Sequence, residues 1–162
     1  MDDDPPTAGA RRAVAFDIRI ASVVGRLPLG RQRVATIAEQ LLRGEGCRAA
    51  IVNVTFVGNR DMARLHREHL RHDGPTDILT FRHAAPGRDA PLVGDIYIAP
   101  AVARVHAQDA GCAWREELAR LTIHGVLHAL GWEHPDGAAR TRSAMWRRQE
   151  RWLARLQQAG AW

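Results

Sequence analysis

Three histidines, His124, His128 and His134, fall close together in the segment LTIHGVLHALGWEHPDG, Leu121 to Gly137. His124 and His128 are four residues apart on a predicted helix, so their imidazoles lie one turn apart on one face. Two ring nitrogens so placed reach a single zinc ion about 2.0–2.1 Å from each. Gly131 lets the chain leave the helix through a left-handed conformation, and His134 then swings back as a third ligand. Three neutral imidazoles leave the fourth tetrahedral position to water, which is the catalytic rather than the structural arrangement. A water held there ionises at about pH 7. The expected cofactor is one Zn2+ per chain, bound on a long helix and the turn that follows it.

The spacing H-x3-H-x5-H with its intervening glycine matches the metzincin template H-E-x-x-H-x-x-G-x-x-H at four of five fixed positions. The fifth differs. Where those peptidases place their general-base glutamate, this chain has Gly125, so nothing at that position deprotonates water or protonates a leaving amine. Asp77 and Asp95 sit beside predicted strands, either as partners that orient a zinc-bound histidine or as turn carboxylates satisfied by backbone amides. Glu133 precedes the third histidine and is expected to face solvent, and Asp136 is expected to cap the last helix. His66, His69, His72 and His83 form a looser set, read as surface histidines because their spacing is irregular.

Trp132, next to the metal motif, is singled out as a platform on which a base could stack. Trp114, Trp146 and Trp152 are read mostly as core, since Met145, Trp152 and Leu156 share one helical stripe. Along the last helix Arg147, Arg151 and Arg155 recur every four residues, with Arg140 and Arg148 nearby. Such a row suits a phosphate backbone, and it equally suits a solvated helix face. Arg147 and Arg151 are carried forward as the substrate-binding candidates.

The elements that must position these groups are visible in the apolar pattern. Residues 1–12 are acidic, then proline- and glycine-rich, and read as a disordered lead-in to one domain over residues 13–158. Ala13 to Ile20 alternates as a strand, Val34 to Leu42 repeats at helical spacing, and Ala49 to Val57 is a buried strand. Asn59 opens a short helix. Asp77 to Phe81 and Leu92 to Ile98 read as strands, Pro100 to Ala110 and Trp114 to Leu130 as helices, and Ala138 to Gln158 as the last helix. Interleaved strands and helices predict an α/β (α+β) domain whose mixed sheet of about four strands is flanked by helices.

The chain has 162 residues and a formal charge of +5, and all of its basic residues apart from histidine are arginine. Guanidinium forks favour an anionic partner such as nucleic acid. Cys47 and Cys112 form no CxxC pair and are read as small apolar residues in a reducing, cytoplasmic setting. No apolar run is long enough to span a membrane, and the first residues do not read as a secretory signal.

HGVLHALGWEH, residues 124–134, resembles the signature of the YbeY family of bacterial rRNA maturation factors, H-G-x-L-H-L-x-G-Y-D-H. GPTDILTF (Gly74 to Phe81) resembles that family's x-P-T-D-V-L-S-F stretch, and VGDIYIAP (Val93 to Pro100) its L-G-D-I-x-I-S element. Met145 and Glu150 are similar to its M-x-x-x-E element, with one extra residue between them. The resemblance runs from about Ile51 to Leu153. It implies a zinc-dependent endoribonuclease specific for single strands, acting on rRNA precursors at the 16S 3′ end and in ribosome quality control, with the small ribosomal subunit as partner and no DNA substrate. It also favours Asp95, in the GDI element, as a site residue. The family commonly carries an arginine where this chain has Leu70, and Arg71, its neighbour, is the candidate replacement ahead of Arg67. Two alternatives remain open at this point: a metallopeptidase-like hydrolase, and a ribosome-binding module with structural zinc.

Overall fold

Alternation along the strands sets the layers of the computed structural model, which describes residues 14–70 and 76–162. Val52, Val54 and Phe56 are buried on one side of the second strand while Asn53 and Thr55 point the other way, the two-residue period of a pleated strand. The elements run β1 (Ala15–Ser22), α1 (Arg31–Gly44), β2 (Ala49–Phe56), α2 (Asn59–Leu70), β3 (Ile78–His83), β4 (Leu92–Ile98), α3 (Pro100–Ala110), α4 (Trp114–Ala129) and α5 (Ala144–Gln158). A 3-10 turn over Gly137–Arg142 precedes α5. The strands form one mixed sheet in the order β1-β2-β4-β3, with β1, β2 and β4 parallel and β3 antiparallel to β4. The single α/β domain expected from the apolar pattern is therefore the one formed. The expected lead-in over residues 1–12 and the loop containing Arg71 and His72 lie outside the described residues.

One face of the sheet carries the main core. Ile37, Leu41 and Leu42 of α1 and Leu118, Ile123, Val126 and Leu127 of α4 meet Val52, Val54, Phe56, Ile96 and Ile98 there. A smaller cluster on the opposite face gathers Met62 of α2 with Leu79, Val57 and Ala99, flanked by Phe81 and Tyr97.

Helix α4 is buried on nearly every side, packing against α1, α3, α5, β3 and β4. Its approach to the sheet is close enough to require glycine. A β-carbon at Gly125 would come 2.6 Å from Ile96 Cγ2 and 3.1 Å from Ile78 Cδ1. A β-carbon at Gly94 of β4 would come 2.9 Å from Ala129 Cβ. The helix then stops in a Schellman turn: Trp132 N–H donates to Leu127 O, Gly131 N–H donates to His128 O, and Gly131 adopts φ 97.

Helix α5 begins later than its apolar pattern predicts. The 3-10 turn occupies residues 137–142, and Ser143, not Asp136, supplies the side-chain cap, accepting a hydrogen bond from Trp146 N at 3.1 Å. Trp152 docks α5 onto the end of α1: its ring fills the space over Gly44, and its Nε1 donates to Glu45 Oε1 at 2.6 Å. Arg148 Nε donates to the same carboxylate at 2.8 Å. Among the described residues no helix is long and apolar enough to cross a membrane.

The helix–sheet contact makes a direct prediction. Alanine ordinarily favours a helix interior by about 1 kcal/mol over glycine, yet Gly125→Ala should destabilise the protein by about 1–3 kcal/mol through overpacking. Denaturant melts should show the loss, and Ile96→Ala in the same chain should cost less than it does alone. A neutral or stabilising Gly125→Ala would mean that the helix can lift off the sheet freely.

Candidate metal centre

His124 and His128 project from the last two turns of α4, and His134 follows the Schellman turn. Nε2 of His134 lies 3.2 Å from Nε2 of His128 and 3.3 Å from Nε2 of His124. Ligands about 2.0–2.1 Å from a tetrahedral zinc stand roughly 3.3–3.4 Å apart, so the triangle already has the size of one face of that tetrahedron.

Hydrogen bonds on the far side of each ring decide where the protons sit. Gln149 Nε2 donates to Glu150 Oε1 at 2.9 Å, which turns Gln149 Oε1 toward His124 Nδ1 at 2.7 Å. An amide oxygen only accepts, so Nδ1 of His124 carries the proton and its Nε2 is bare. His134 Nδ1 faces the carbonyl of Pro135 at 3.0 Å and is fixed the same way. The His128 ring is hydrogen-bonded to the Trp132 backbone, with its Nδ1 also 3.9 Å from Glu133 Oε2. The Nε2 lone pairs of His124 and His134 thus face each other at 3.3 Å beside Nε2 of His128, an arrangement that a divalent cation relieves. The donor set fits zinc, and these outer partners are of the kind that hold a ligand's ring and tautomer in place.

Burial keeps the His124 and His128 rings neutral. Desolvation is the largest cause that lowers the pKa of His124 to about 4; the neighbouring His128 and His134 lower it further, while the hydrogen bond to Gln149 and the charge of Asp77 oppose them. His128 is lowered for the same first reason and then by His134. A ring that resists protonation is one that a metal does not have to deprotonate.

Gln149 is buried and belongs to a longer polar chain. Glu150 Oε1 also accepts from Arg120 Nε at 3.0 Å, and Arg120 reaches Glu116 and Glu117 through its other nitrogens. Burial alone would lower the pKa of this guanidinium, but the hydrogen bonds and charges of Glu150 and Glu117 outweigh it and raise the value. Arg120 so fixed ties α5 to the first turns of α4 and holds Gln149 against His124. Gln149, four residues after Met145, takes the place beside the metal, and Glu150 instead binds Arg120.

The histidines open into a cleft of about 490 Å³ between β3 and the end of α4. Leu70, Asp77, Arg82, Glu133, Asp136 and Arg140 are among its walls. Next to it, sharing Asp77, Ile78, His124 and Arg140, lies a second cleft of about 710 Å³. There Asp77, His106 and Glu117 bring ligand atoms within 4.8 Å of one another. His106 Nδ1 is 3.1 Å from Asp77 Oδ2.

The structure does not bring Asp95 to the histidines. Gly94, Ile96 and Ile98 face α4, so Asp95 is turned to the other side of the sheet, where it accepts from Asn53 Nδ2 at 2.7 Å and lies 2.6 Å from His83 Nε2. Asp77 is the strand carboxylate beside His124. Trp132 packs on the main core with the Arg148 guanidinium 4.7 Å from its ring centroid, so that face is already covered. Arg147 donates to the carbonyl of Arg142 at 2.6 Å, and Arg151 borders a separate cleft beside Glu45 and Trp152. Neither Arg147 nor Arg151 lines the histidine cleft. Arg71 lies outside the described residues, whereas Leu70 is on the cleft wall. Of the histidines set apart as a looser group, His69 packs edge-on to Phe81 and His83 meets Asp95, while His72 lies outside the described residues.

Gly125 bears on peptidase chemistry. It faces Ile96 and Ile78, and a side chain there would have to displace them. The chain carries no general base at the position that metzincins use.

Two measurements follow from this geometry. The unfolded chain binds a proton on histidine near pH 6.5, but folded His124 does so only at about 4. Between those values the unfolded state holds the extra proton, so the stability present above about pH 6.5 is lost as pH falls toward 4, on the order of 3 kcal/mol. Thermal melts of chelator-treated protein should show this slope, flattened in His124→Asn; a flat profile for the parent chain would contradict the buried neutral ring. Gln149→Leu should weaken zinc binding by about 10–100-fold while the fold persists. Unchanged affinity in a competition titration would remove Gln149 from the site.

Comparison with known proteins adds the lineage. The family model described as Endoribonuclease YbeY matches residues 28–157. An Endoribonuclease YbeY from Chloroherpeton thalassium is 33% identical over 137 residues, covering 85% of this chain and 94% of that protein. Another, from Thermobifida fusca, is 35% identical over 129 residues, covering 75% and 83%. A solution structure of a Thermotoga maritima protein superposes with a TM-score of 0.58 at 23% identity, covering 89% of this chain and 94% of that one, and shares the fold. With its histidine triad, mixed sheet and this extent of matching sequence, the chain belongs to the YbeY endoribonuclease family.

Proposed function

We propose that the chain is a zinc-dependent endoribonuclease that cuts single-stranded RNA, with rRNA precursors at the 16S 3′ end as substrate and the small ribosomal subunit as partner, in the cytoplasm. The observation that carries this reading is the convergence of three histidine Nε2 atoms in an open cleft, in a chain of the endoribonuclease family. Zinc bound there supplies a Lewis acid for a phosphodiester oxygen and lowers the pKa of a nearby water.

The chain's own groups do the rest. Burial holds His124 and His128 neutral, so neither competes as a cation for the substrate's charge. Gln149 and the Pro135 carbonyl keep the Nδ1 protons of His124 and His134 on the outer side of the rings. The Ile78 and Leu79 wall removes bulk water from one side of the substrate. Glu133 and Asp136 stand on the cleft wall with the histidines, the former with its side chain 82% exposed and able to exchange protons with solvent.

A second reading has one observation in its favour. Leu70 places an apolar side chain on the cleft wall where a guanidinium would aid phosphate chemistry, and a ribosome-binding module with structural zinc would tolerate that.

The deciding experiment is cleavage of an end-labelled single-stranded RNA by zinc-loaded protein, beside a duplex of the same sequence. Internal cuts in the single strand should be lost in His128→Ala and after chelation, and should return on adding zinc to the chelated parent. Intact RNA with one tightly bound zinc per chain would reject the nuclease reading and leave the ribosome-binding one.

A further inference from the structure

A polyanion in the histidine cleft needs cations on its walls, and among the described lining residues the guanidiniums are Arg82 and Arg140. They come from different parts of the chain. Arg82 is on β3, in register with Gly94, and therefore on the face of the sheet that carries α4. Its guanidinium lies over the turn between the second and third histidines: a β-carbon on Gly131 would come 2.6 Å from Arg82 Nη1. Gly131 thus has two tasks, a left-handed turn and room for this side chain. Arg140 is in the 3-10 turn after His134, with its guanidinium 5.6 Å from the Trp146 ring centroid.

Beyond this cleft the two arginines border different neighbouring depressions. Arg140 borders both this cleft and the larger one, at the junction formed by Asp77, Ile78 and His124. Arg82 is four residues along β3 from Ile78, beside the end of α4, and also borders a small surface depression with His83 and Leu92. His124, His128 and His134 line the cleft that both arginines border. Neither guanidinium has a carboxylate partner among the described residues, whereas Arg120 and Arg148 are each held by one or more. An arginine without a carboxylate keeps its five donors for an incoming phosphate.

We infer that Arg82 and Arg140 are the phosphate-binding residues of this cleft, gripping an RNA strand on the two sides of the histidine triad so that the bond between the gripped nucleotides lies over the metal site. This deepens the endoribonuclease reading and rests on it. A strand held at two points of a cleft that opens onto a further depression beside each grip need not present a terminus. The grip therefore suits cleavage within a chain. It also supplies the positive charge that Leu70 leaves out of the wall. Contacts to phosphate carry no base information, so the grip predicts tolerance of sequence.

The test separates binding from cleavage. Arg82→Ala and Arg140→Ala, singly and together, are made in the zinc-loaded parent and in His128→Ala, with Arg31→Ala on α1 as a surface control. Binding of a fluorescent single-stranded RNA to the His128→Ala series is read by anisotropy over a range of salt, and cleavage is read in the active series. Each substitution should weaken binding by about tenfold or more and reduce the salt slope by about 0.7, the value for one neutralised phosphate of a single strand. Cleavage should fall through KM more than through kcat, and the double substitution should approach the product of the single losses. Arg31→Ala should match its parent. Should Arg82→Ala disturb the turn at Gly131, Arg82→Gln keeps the length without the charge, and melting curves confirm which variants are folded. Affinity and salt slope within twofold of the parent in folded variants would overturn the grip even if the parent cuts RNA. A parent that does not cut, with the slopes reduced as stated, would overturn the nuclease reading and leave the grip as a binding feature.

Discussion

The contact between α4 and the sheet is the constraint on which the rest of this structure depends. Gly125 lets the helix settle onto Ile96 and Ile78, and Gly94 lets β4 approach Ala129, so the helix is fixed at both ends of one short stretch. His128 is on that stretch and His124 immediately precedes it. A ligand triangle with edges of a few ångströms tolerates little drift, and a loop could not hold it without many more contacts. The domain places two of its three ligands on its most buried helix and allows only the third to come from a turn.

That burial has a cost, and α5 offsets it. A histidine 9% exposed loses the water that would satisfy both ring nitrogens. Nε2 faces the other two histidines, where a metal ion could be held, and Gln149 serves Nδ1. Gln149 is itself buried and held by Glu150, which is held by Arg120, which returns to α4 at Glu116 and Glu117. The polar chain therefore begins and ends on the same helix, and no member of it is left without a partner. Trp152 over Gly44 anchors the far end of α5, and the two attachments together determine where Gln149 sits.

What the sequence disclosed follows from how local each feature is. The histidine triad is local: a four-residue spacing, a helix and a glycine stop suffice, and the three histidines converge as the spacing implies. The element order and the mixed sheet follow from apolar periodicity of the same short range. Gln149 is not legible in the sequence, because its meaning depends on a ring 25 residues away on another helix, and the motif's glutamate is matched by its neighbour Glu150. Asp95 could have been excluded from its strand alone, since Gly94, Ile96 and Ile98 share the core face and an odd position must face away. The arginine row on α5 shows the limit of periodicity: a four-residue repeat identifies a stripe but not the surface beside it. Arg82 and Arg140, in a strand and in a short turn, have no repeat at all and become visible only when the cleft is closed around them.

The close contact at Gly125 also limits what this lineage can become. A glutamate beside the first metal histidine is a single substitution from peptidase-like chemistry on paper. Here that position is pressed against Ile96 and Ile78, and the new side chain would have to displace the sheet before it could reach substrate. The intermediate would lose the packing that positions the metal ligands before gaining any general base. Two catalytic repertoires that share a ligand spacing thus differ at a position where the packing of this helix against the sheet disfavours a side chain.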